Sequence, residues 1–380
     1  MSGSKVAQNN YEVGKMTISS LLLTPSPVLI IGAGLLGTSI ALRLRQGGVE
    51  VYLADVSPIA ARLAQDLGAG KATAVAAPKL VIVAVPPDVT PAVVADALEK
   101  YPKAIVTDVS SVKQLVIDLI AVHPCANRFV GSHPMAGRER SGAIAADADL
   151  FAGRPWVIVP HEKSGRTAQR VVQNLAVDMG GSVIQMSAQE HDHAVSLVSH
   201  LPQIMSSLVA GQLTGETADS LQLAGQGLRD VTRIAKSDSL LWTSIINANR
   251  KEIAAALRRT RKELDDFIKA VESDGDLSTI SRLIALGNEG VSRIPGKHGG
   301  APTRYTEVTV LIPDQPGQMG RLFTEIGQIG VNIEDFTLEH SVGQPVGRAV
   351  LSVIPAHTRE LEIGLIQRGW QVISVGEEQR

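Results

Sequence analysis

The sequence predicts an α/β protein in three parts: a sheet domain covered by helices, an all-α region, and a small βαββαβ domain. Three observations carry this. From residue 28 to 160, short Val/Ile-rich runs alternate with helix-period segments. Uninterrupted apolar runs of this length are how strands buried on both faces of a parallel sheet read. From Ser187 to about Gly290 the pattern is almost wholly helical. Beyond residue 305 the order is strand, helix, strand, strand, helix, strand, the ferredoxin-like split unit.

Composition narrows the function classes. The chain has 380 residues, of which 44% are hydrophobic and only 3% aromatic. The formal net charge of −2 supplies no basic field for a nucleic-acid backbone, and so few aromatics suit base stacking poorly. One cysteine, Cys125, allows no internal disulfide and fits a reducing cytoplasm. No signal-peptide pattern and no run of about 20 apolar residues is found, so no membrane span is expected.

Residues 1–26 read as a flexible tail and 27–186 as the sheet domain. Its strands fall at Val28–Ile31, Val49–Ala54, Leu80–Val85, Ala104–Thr107, Arg128–Gly131, Trp156–Val159 and Ser182–Met186, with helices at Leu35–Gln46 and 166–179 among the connections. The helical region is 187–291. Ser187 with Glu190 three residues on is a capping box. The helix it opens runs to about Leu213 with a kink at Pro202. Asp238 caps a further helix over Leu240–Val271. Residues 292–304 read as a linker and 305–380 as the last domain. There strands are expected at Val308–Ile312, Asn332–His340, Val346–Ile354 and Trp370–Val375, with helices at Gly317–Ile329 and Thr358–Arg368.

Gly32-Ala33-Gly34-Leu35-Leu36-Gly37 is a G-x-G-x-x-G that follows a strand and opens a helix. Gly32 allows the tight turn, Gly34 lets a pyrophosphate approach the backbone, and Gly37 lets helix and strand pack closely. The helix that starts with Leu35 and Leu36 points its N-terminus at the phosphates. A second strand ends in Asp55, 23 residues after Gly32, where a carboxylate accepts from ribose hydroxyls and repels a 2′-phosphate. The unit is therefore expected to be Rossmann-type and to bind NAD, although Ser57 and Arg62 nearby leave a phosphate binder open. Val85 and Pro86, at the end of a buried strand, are placed to line the cofactor cleft or simply to end the strand.

Chemistry is expected where polar residues concentrate after strands, at Thr107–Lys113 and Gly131–Gly137. His133 suits proton abstraction from an alcohol as hydride leaves, since its pKa lies near neutrality. Ser111 is a candidate to hold the imidazole or the substrate hydroxyl. Arg233 suits a fixed carboxylate, because a guanidinium donates two parallel hydrogen bonds. It lies four residues after Arg229, on one helix face. His193 and His200, seven apart, share a face; His191 and His193 do not, so no metal site is expected.

The stretches GAGLLGTS, TDVSSVK, GSHPMAGRERSG, HDHAVSLVSHLP, GLRDVTRIAKSD and DQPGQMGRLFTEIGQIGVNI together resemble the prephenate/arogenate dehydrogenase family of tyrosine biosynthesis, with a C-terminal ACT regulatory domain. The likeness runs from about residue 28 to 380. It implies that His133 accepts a hydrogen bond from the substrate 4-hydroxyl, that Ser111 assists it, and that Arg233 binds a substrate carboxylate. His200 matches the first histidine of the family's S-H-L-P-H; the second is replaced by Gln203, which puts side-chain recognition in question. The expected reaction is NAD-dependent oxidative decarboxylation of prephenate, with arogenate as the alternative substrate. The resemblance also implies a homodimer, and L-tyrosine as an effector bound around Asp314, Gly317 and Asn332. A β-hydroxyacid dehydrogenase would use a lysine as acid–base. A non-catalytic NAD and amino-acid sensor would not need His133, Ser111 and Arg233 together.

Overall fold

A computed structural model describes residues 22–138, 140, 142–273, 276–295, 305–340 and 346–377. It divides into two compact units, Met1–Arg259 and Thr260–Arg380.

The first unit is built on a seven-stranded sheet. In chain order it holds β1 (Val28–Ile31), α1 (Leu35–Gln46), β2 (Val51–Ala54), α2 (Pro58–Asp66), β3 (Leu80–Val83), α3 (Thr90–Lys100), β4 (Ile105–Asp108), α4 (Gln114–Ile120), β5 (Phe129–Pro134), β6 (Pro155–Val159), α5 (Arg166–Asp178) and β7 (Ser182–Gln185). The spatial order is β2-β1-β3-β4-β5-β6-β7. Side chains alternate between two buried layers: Ile30, Leu80 and Ile82 face one, Leu29, Val81 and Val83 the other. Both faces are covered, which is why these strands read as continuous apolar runs.

The sheet is not wholly parallel as expected. β5 and β6 pair antiparallel, and β6 and β7 then run parallel to each other. The connection from Pro134 to Pro155 holds only a short 3₁₀ turn, Ala143–Ala145, among its described residues. Without a crossover helix the chain returns in the opposite direction. The expected tail is also partly anchored. Residues 1–21 lie outside the described residues, but the Asp178 carboxylate accepts from the backbone of Leu23 and Thr24, and from the Thr24 hydroxyl at 2.6 Å.

The helical part begins with α6 (Ala188–Val195), capped by Ser187 and Glu190 as the sequence predicts. A π-helical turn, Ser196–His200, joins it to α7 (Leu201–Gln212). Pro202 has no N–H to offer Val198, and the backbone widens by one residue just before it. By length and composition the stretch Ala188–Gly215 is apolar enough to cross a bilayer, contrary to the expectation that no such window exists. Here α6 packs on α4 and β6, and His200, Gln203 and Ser206 are buried along the stretch. Short α8 (Ala218–Leu221) and α9 (Gln226–Thr232) follow. The helix expected over Leu240–Val271 is two helices, α10 (Ser239–Ala248) and α11 (Arg250–Glu272), broken at Asn249. Asp238 caps α10 as predicted, accepting from Leu240 and Leu241.

The second unit carries α12 (Leu277–Ser292), β8 (Thr306–Pro313), α13 (Gln318–Ile329), β9 (Asp335–His340), β10 (Val346–Val353), α14 (Thr358–Gln367) and β11 (Gln371–Glu377). The four strands form an antiparallel sheet in the order β11-β8-β10-β9, the ferredoxin-like order the pattern predicts. Val308, Val310, Leu322, Ile326, Leu351 and Leu365 fill its core. Most of the expected linker, 296–304, lies outside the described residues.

Candidate active site

The glycine-rich turn joins β1 to α1, and its three glycines face different surroundings. Gly32 has φ +106°, and a Cβ there would lie 2.2 Å from the Ala84 carbonyl oxygen. A Cβ on Gly37 would lie 1.9 Å from the Gly32 carbonyl oxygen. Both glycines are demanded by packing. A Cβ on Gly34 would meet nothing within 4 Å, so this backbone stays open for a ligand to approach. Gly34 caps α1 without any side-chain hydrogen bond, leaving the N–H groups at Leu35 and Leu36 unsatisfied by a cap. The Asp55 carboxylate accepts from the backbone N–H of Ala33 at 2.7 Å and of Ser57 at 2.8 Å. It thereby braces the turn from the end of β2. The Ser57 hydroxyl accepts from Ala60 at the start of α2, so it serves as a helix cap. Val85 and Pro86 follow β3 beside this turn, and the Thr90 hydroxyl donates to both their carbonyls. An open Gly34, an uncapped helix N-terminus and a carboxylate at the second strand's end fit a dinucleotide with free ribose hydroxyls.

A second constellation forms where β4 and β5 end side by side. Lys113 is fully buried, and its ammonium donates to the Asp108 carboxylate, to the Ser132 carbonyl at 2.9 Å and to the Ser110 hydroxyl at 3.1 Å. Burial pulls the Lys113 pKa down while Asp108 opposes that shift. Asp108 Oδ1 has no protein partner. Sequence reasoning missed this pair; its signal was the charged residues flanking V-S-S-V straight after an apolar strand.

His133, the next-to-last residue of β5, lies within this region. Its Nδ1 is 2.8 Å from His191 Nε2, and His191 Nδ1 is 2.7 Å from Asp192 Oδ1. The Asp192 carboxylate also accepts from the backbone N–H of Lys113 and Gln114, at 2.8 and 2.9 Å. Dense surroundings push the His133 pKa well below 6.5, and His191, Lys113 and His200 add to the shift. His200 is buried with its pKa lowered to about 4, chiefly by burial, against the opposing pull of Asp192. Its Nδ1 is 3.2 Å from Asn249 Nδ2, which donates to the Asp192 carbonyl at 2.8 Å, and its ring stands edge-on to Trp242. Asn249 lies at the break between α10 and α11 and is buried there.

The other predicted residues are placed less centrally. Ser111 lies in the loop after β4, yet no hydrogen bond joins it to His133 among the described residues; His191 holds the ring instead. Gln203 is buried, and its Nε2 donates to the Ser237 hydroxyl at 2.8 Å. Arg233 is exposed and opens a 3₁₀ turn, Arg233–Ala235, that packs on α7. Arg229 sits in the last turn of α9, before the helix ends at Thr232. His193 and His200 both turn toward residues 249–252, His193 reaching Glu252 at 3.1 Å. His191 and Asp192 thus bond to each other and reach His133 and the start of α4, while His193 goes to Glu252. Sequence reasoning weighed His191 and Asp192 only as metal ligands and passed over Asn249.

In the second unit, Asn332 donates to Glu334 at 2.8 Å and lines a cavity of about 440 Å³ with Phe323, Ile326, Glu334 and Phe336. Asp314 and Gly317 do not line it; Gly317 adopts φ +86° at the start of α13.

Comparison with known proteins extends these observations. The family model described as the nucleotide-binding domain of prephenate dehydrogenase matches residues 40–185, and the model of its dimerization domain matches 187–285. A protein of Streptomyces niveus named as a probable prephenate dehydrogenase is 32% identical over 90% of this chain and 98% of its own length. Prephenate dehydrogenase of Aquifex aeolicus, solved with hydroxyphenyl propionate and NAD+, superposes with a TM-score of 0.63 at 30% identity, over 71% of this chain and 98% of that one. Arogenate dehydrogenase of Synechocystis gives a TM-score of 0.57 at 25% identity, over 70% and 98%.

Proposed function

Because this chain belongs to the prephenate dehydrogenase family, we propose that it catalyses the NAD-dependent oxidative decarboxylation of prephenate to 4-hydroxyphenylpyruvate in tyrosine biosynthesis. The observation that carries this reading is His133, an imidazole kept neutral by its surroundings at a sheet edge that also bears a dinucleotide cradle. Bound NAD+ supplies the hydride acceptor. Gly32, Gly34, Leu35, Leu36, Gly37, Val85 and Pro86 form the cradle, and Asp55 takes the ribose hydroxyls. His133 accepts the hydrogen bond of the 4-hydroxyl as the C4 hydrogen leaves with its electron pair. The C1–carboxylate bond then breaks, and its electrons complete the aromatic ring. Aromatisation drives the reaction, so positioning and charge placement are the protein's main tasks. Ser111 supports the hydroxyl. Arg233 orients a carboxylate, since a stronger grip on the ground state would not speed the step.

The test is reduced-nicotinamide absorbance from purified protein with NAD+ and prephenate or arogenate. Turnover of neither substrate would overturn the reading. Asp55 sets the cofactor choice: because loss of the turn brace acts on both cofactors alike, Asp55→Ala is expected to shift the preference for NAD+ over NADP+ about tenfold toward NADP+, through the loss of one ribose contact and one repulsive charge. An unchanged ratio of the two kcat/KM values would remove Asp55 from that role.

A second reading, arogenate as the preferred substrate, is favoured by Gln203. Its amide nitrogen is committed to Ser237, which leaves the amide oxygen as an acceptor for an ammonium group. Gln203→His is then expected to move the prephenate-to-arogenate ratio of kcat/KM toward prephenate by about tenfold, roughly 1.4 kcal/mol. A ratio that stays put removes Gln203 from side-chain recognition.

The C-terminal unit is proposed to be an ACT domain that binds L-tyrosine and slows the enzyme, supported by its strand order and the cavity beside Asn332. Asp314 and Gly317 are carried with it as effector residues. Tyrosine that leaves the rate unchanged would reduce the unit to an assembly module. A homodimer in the cytoplasm completes the proposal, supported by the dimerization-domain match and by Leu223, Val231 and Leu240 left exposed on the helical part.

A further inference from the structure

We infer that His191 and Asp192 are positioning residues that fix His133 in a single tautomer, with the proton on Nδ1 and the lone pair on Nε2. The inference rests on the proposed reaction only for the use made of that lone pair.

The argument starts from Asp192. Its carboxylate accepts from two backbone N–H groups, and it lines a cavity of about 550 Å³ together with Asn249 and Arg250. Both carboxylate oxygens therefore already act as acceptors, Oδ1 from the Lys113 N–H and Oδ2 from the Gln114 N–H. With the carboxylate accepting on both oxygens, the hydrogen at 2.7 Å from Oδ1 sits on His191 Nδ1. With its one ring hydrogen held at Nδ1, His191 presents a bare Nε2. That nitrogen lies 2.8 Å from His133 Nδ1, which must supply the hydrogen between them. His133 Nε2 is left as the acceptor, free for the substrate hydroxyl.

No water can easily replace this arrangement, because His191 and Asp192 are 1% and 3% exposed. The backbone fixes it further. Asp192 caps the start of α4, and Lys113 in the same turn donates to Ser132, the neighbour of His133. The Ser187 capping box starts α6 one turn before the two residues, which sets their direction. With the acceptor at His191 removed, His133 loses the bond that distinguishes its two tautomers. The one with a hydrogen on Nε2 cannot accept from the substrate. The acidic end of the chain also steadies positive charge that builds on His133 during reaction, as an oriented carboxylate does for an imidazole base.

The experiment uses the full chain labelled with ¹⁵N-histidine. His133 is assigned by the resonance lost in His133→Asn. In the wild-type protein its Nδ1 is expected to be protonated and its Nε2 bare. His133 protonated at Nε2 would overturn the inference, whatever the enzyme turns over. Two variants extend the test. His191→Leu is expected to mix the two tautomers and lower kcat about a hundredfold, with the KM for NAD+ unchanged. His191→Gln places an amide oxygen near the lost Nε2. It is expected to restore the single tautomer and bring kcat to within about tenfold of wild type. A kcat unchanged by His191→Leu, or a loss equal in both variants, would reduce His191 to packing. Should His191→Leu fail to fold, the wild-type spectrum decides alone.

Discussion

Replacing His133 with asparagine is expected to lower kcat by about a thousandfold, the usual contribution of a positioned acid–base group, while NAD+ binds as before. The two effects separate because the cradle around Gly34 is braced by Asp55 and Ala84, none of which bonds to His133. The pH profile carries the same argument. Burial first, then His191, Lys113 and His200, disfavour the imidazolium at His133. Its accepting, neutral form therefore persists as pH falls through 6.5 and is lost only below. Activity is present above that depressed value and disappears as acid protonates the ring. The acid limb of kcat/KM is expected to lie below the ordinary histidine range, where the neighbouring His200 also titrates, at about 4. An acid limb at or above 6.5, or a His133→Asn enzyme with normal turnover, would show that another group accepts the proton.

Much of the fold was legible because its strands are buried on two sides. Runs such as Leu80–Val83 carry no polar interruption, and β1 and α1 fall where the pattern puts them. The reversed β6 was not legible. Direction depends on how the chain crosses the sheet, and an apolar strand reads alike both ways. The helix expected over Leu240–Val271 shows a different limit. Helical periodicity passes smoothly across Asn249, and only the inward hydrogen bonds to Asp192 and His200 explain the break.

The site divides in the same manner. Gly32, Gly37 and Asp55 were readable because local turn chemistry constrains them. His133 was readable from its place after a strand. What surrounds it was not. Lys113 and Asp108 look like surface charges in sequence, and His191 came to attention only as a poor metal ligand. Their roles come from contacts between residues far apart in the chain, such as the 58-residue separation of His133 and His191. Periodicity carries no record of such contacts.

Lys113 is the residue outside the proposed catalytic group whose loss is expected to cost most. Lys113→Met keeps the length and apolar stem but leaves Asp108 charged at 0% exposure. The carboxylate retains only the Ser110 backbone N–H at 3.0 Å and the Ser110 hydroxyl at 2.6 Å, with Oδ1 still unpartnered. Stranding one member of a buried ion pair costs about 3–5 kcal/mol, because the remaining charge has no water to turn to. The expected result is a large fall in the urea midpoint of the first unit. Asp108→Asn added to Lys113→Met removes the stranded charge and is expected to recover more than half of that loss. This recovery distinguishes a charge effect from simple loss of packing, which the second substitution would only worsen. The double variant still lacks the Lys113 hydrogen bond to the Ser132 carbonyl, so β5 is less firmly held at His133. Its stability is therefore expected to return further than its kcat. A Lys113→Met protein destabilised by less than about 1 kcal/mol would mean that Asp108 takes up a proton when left alone, and that the pair is not needed to hold the site.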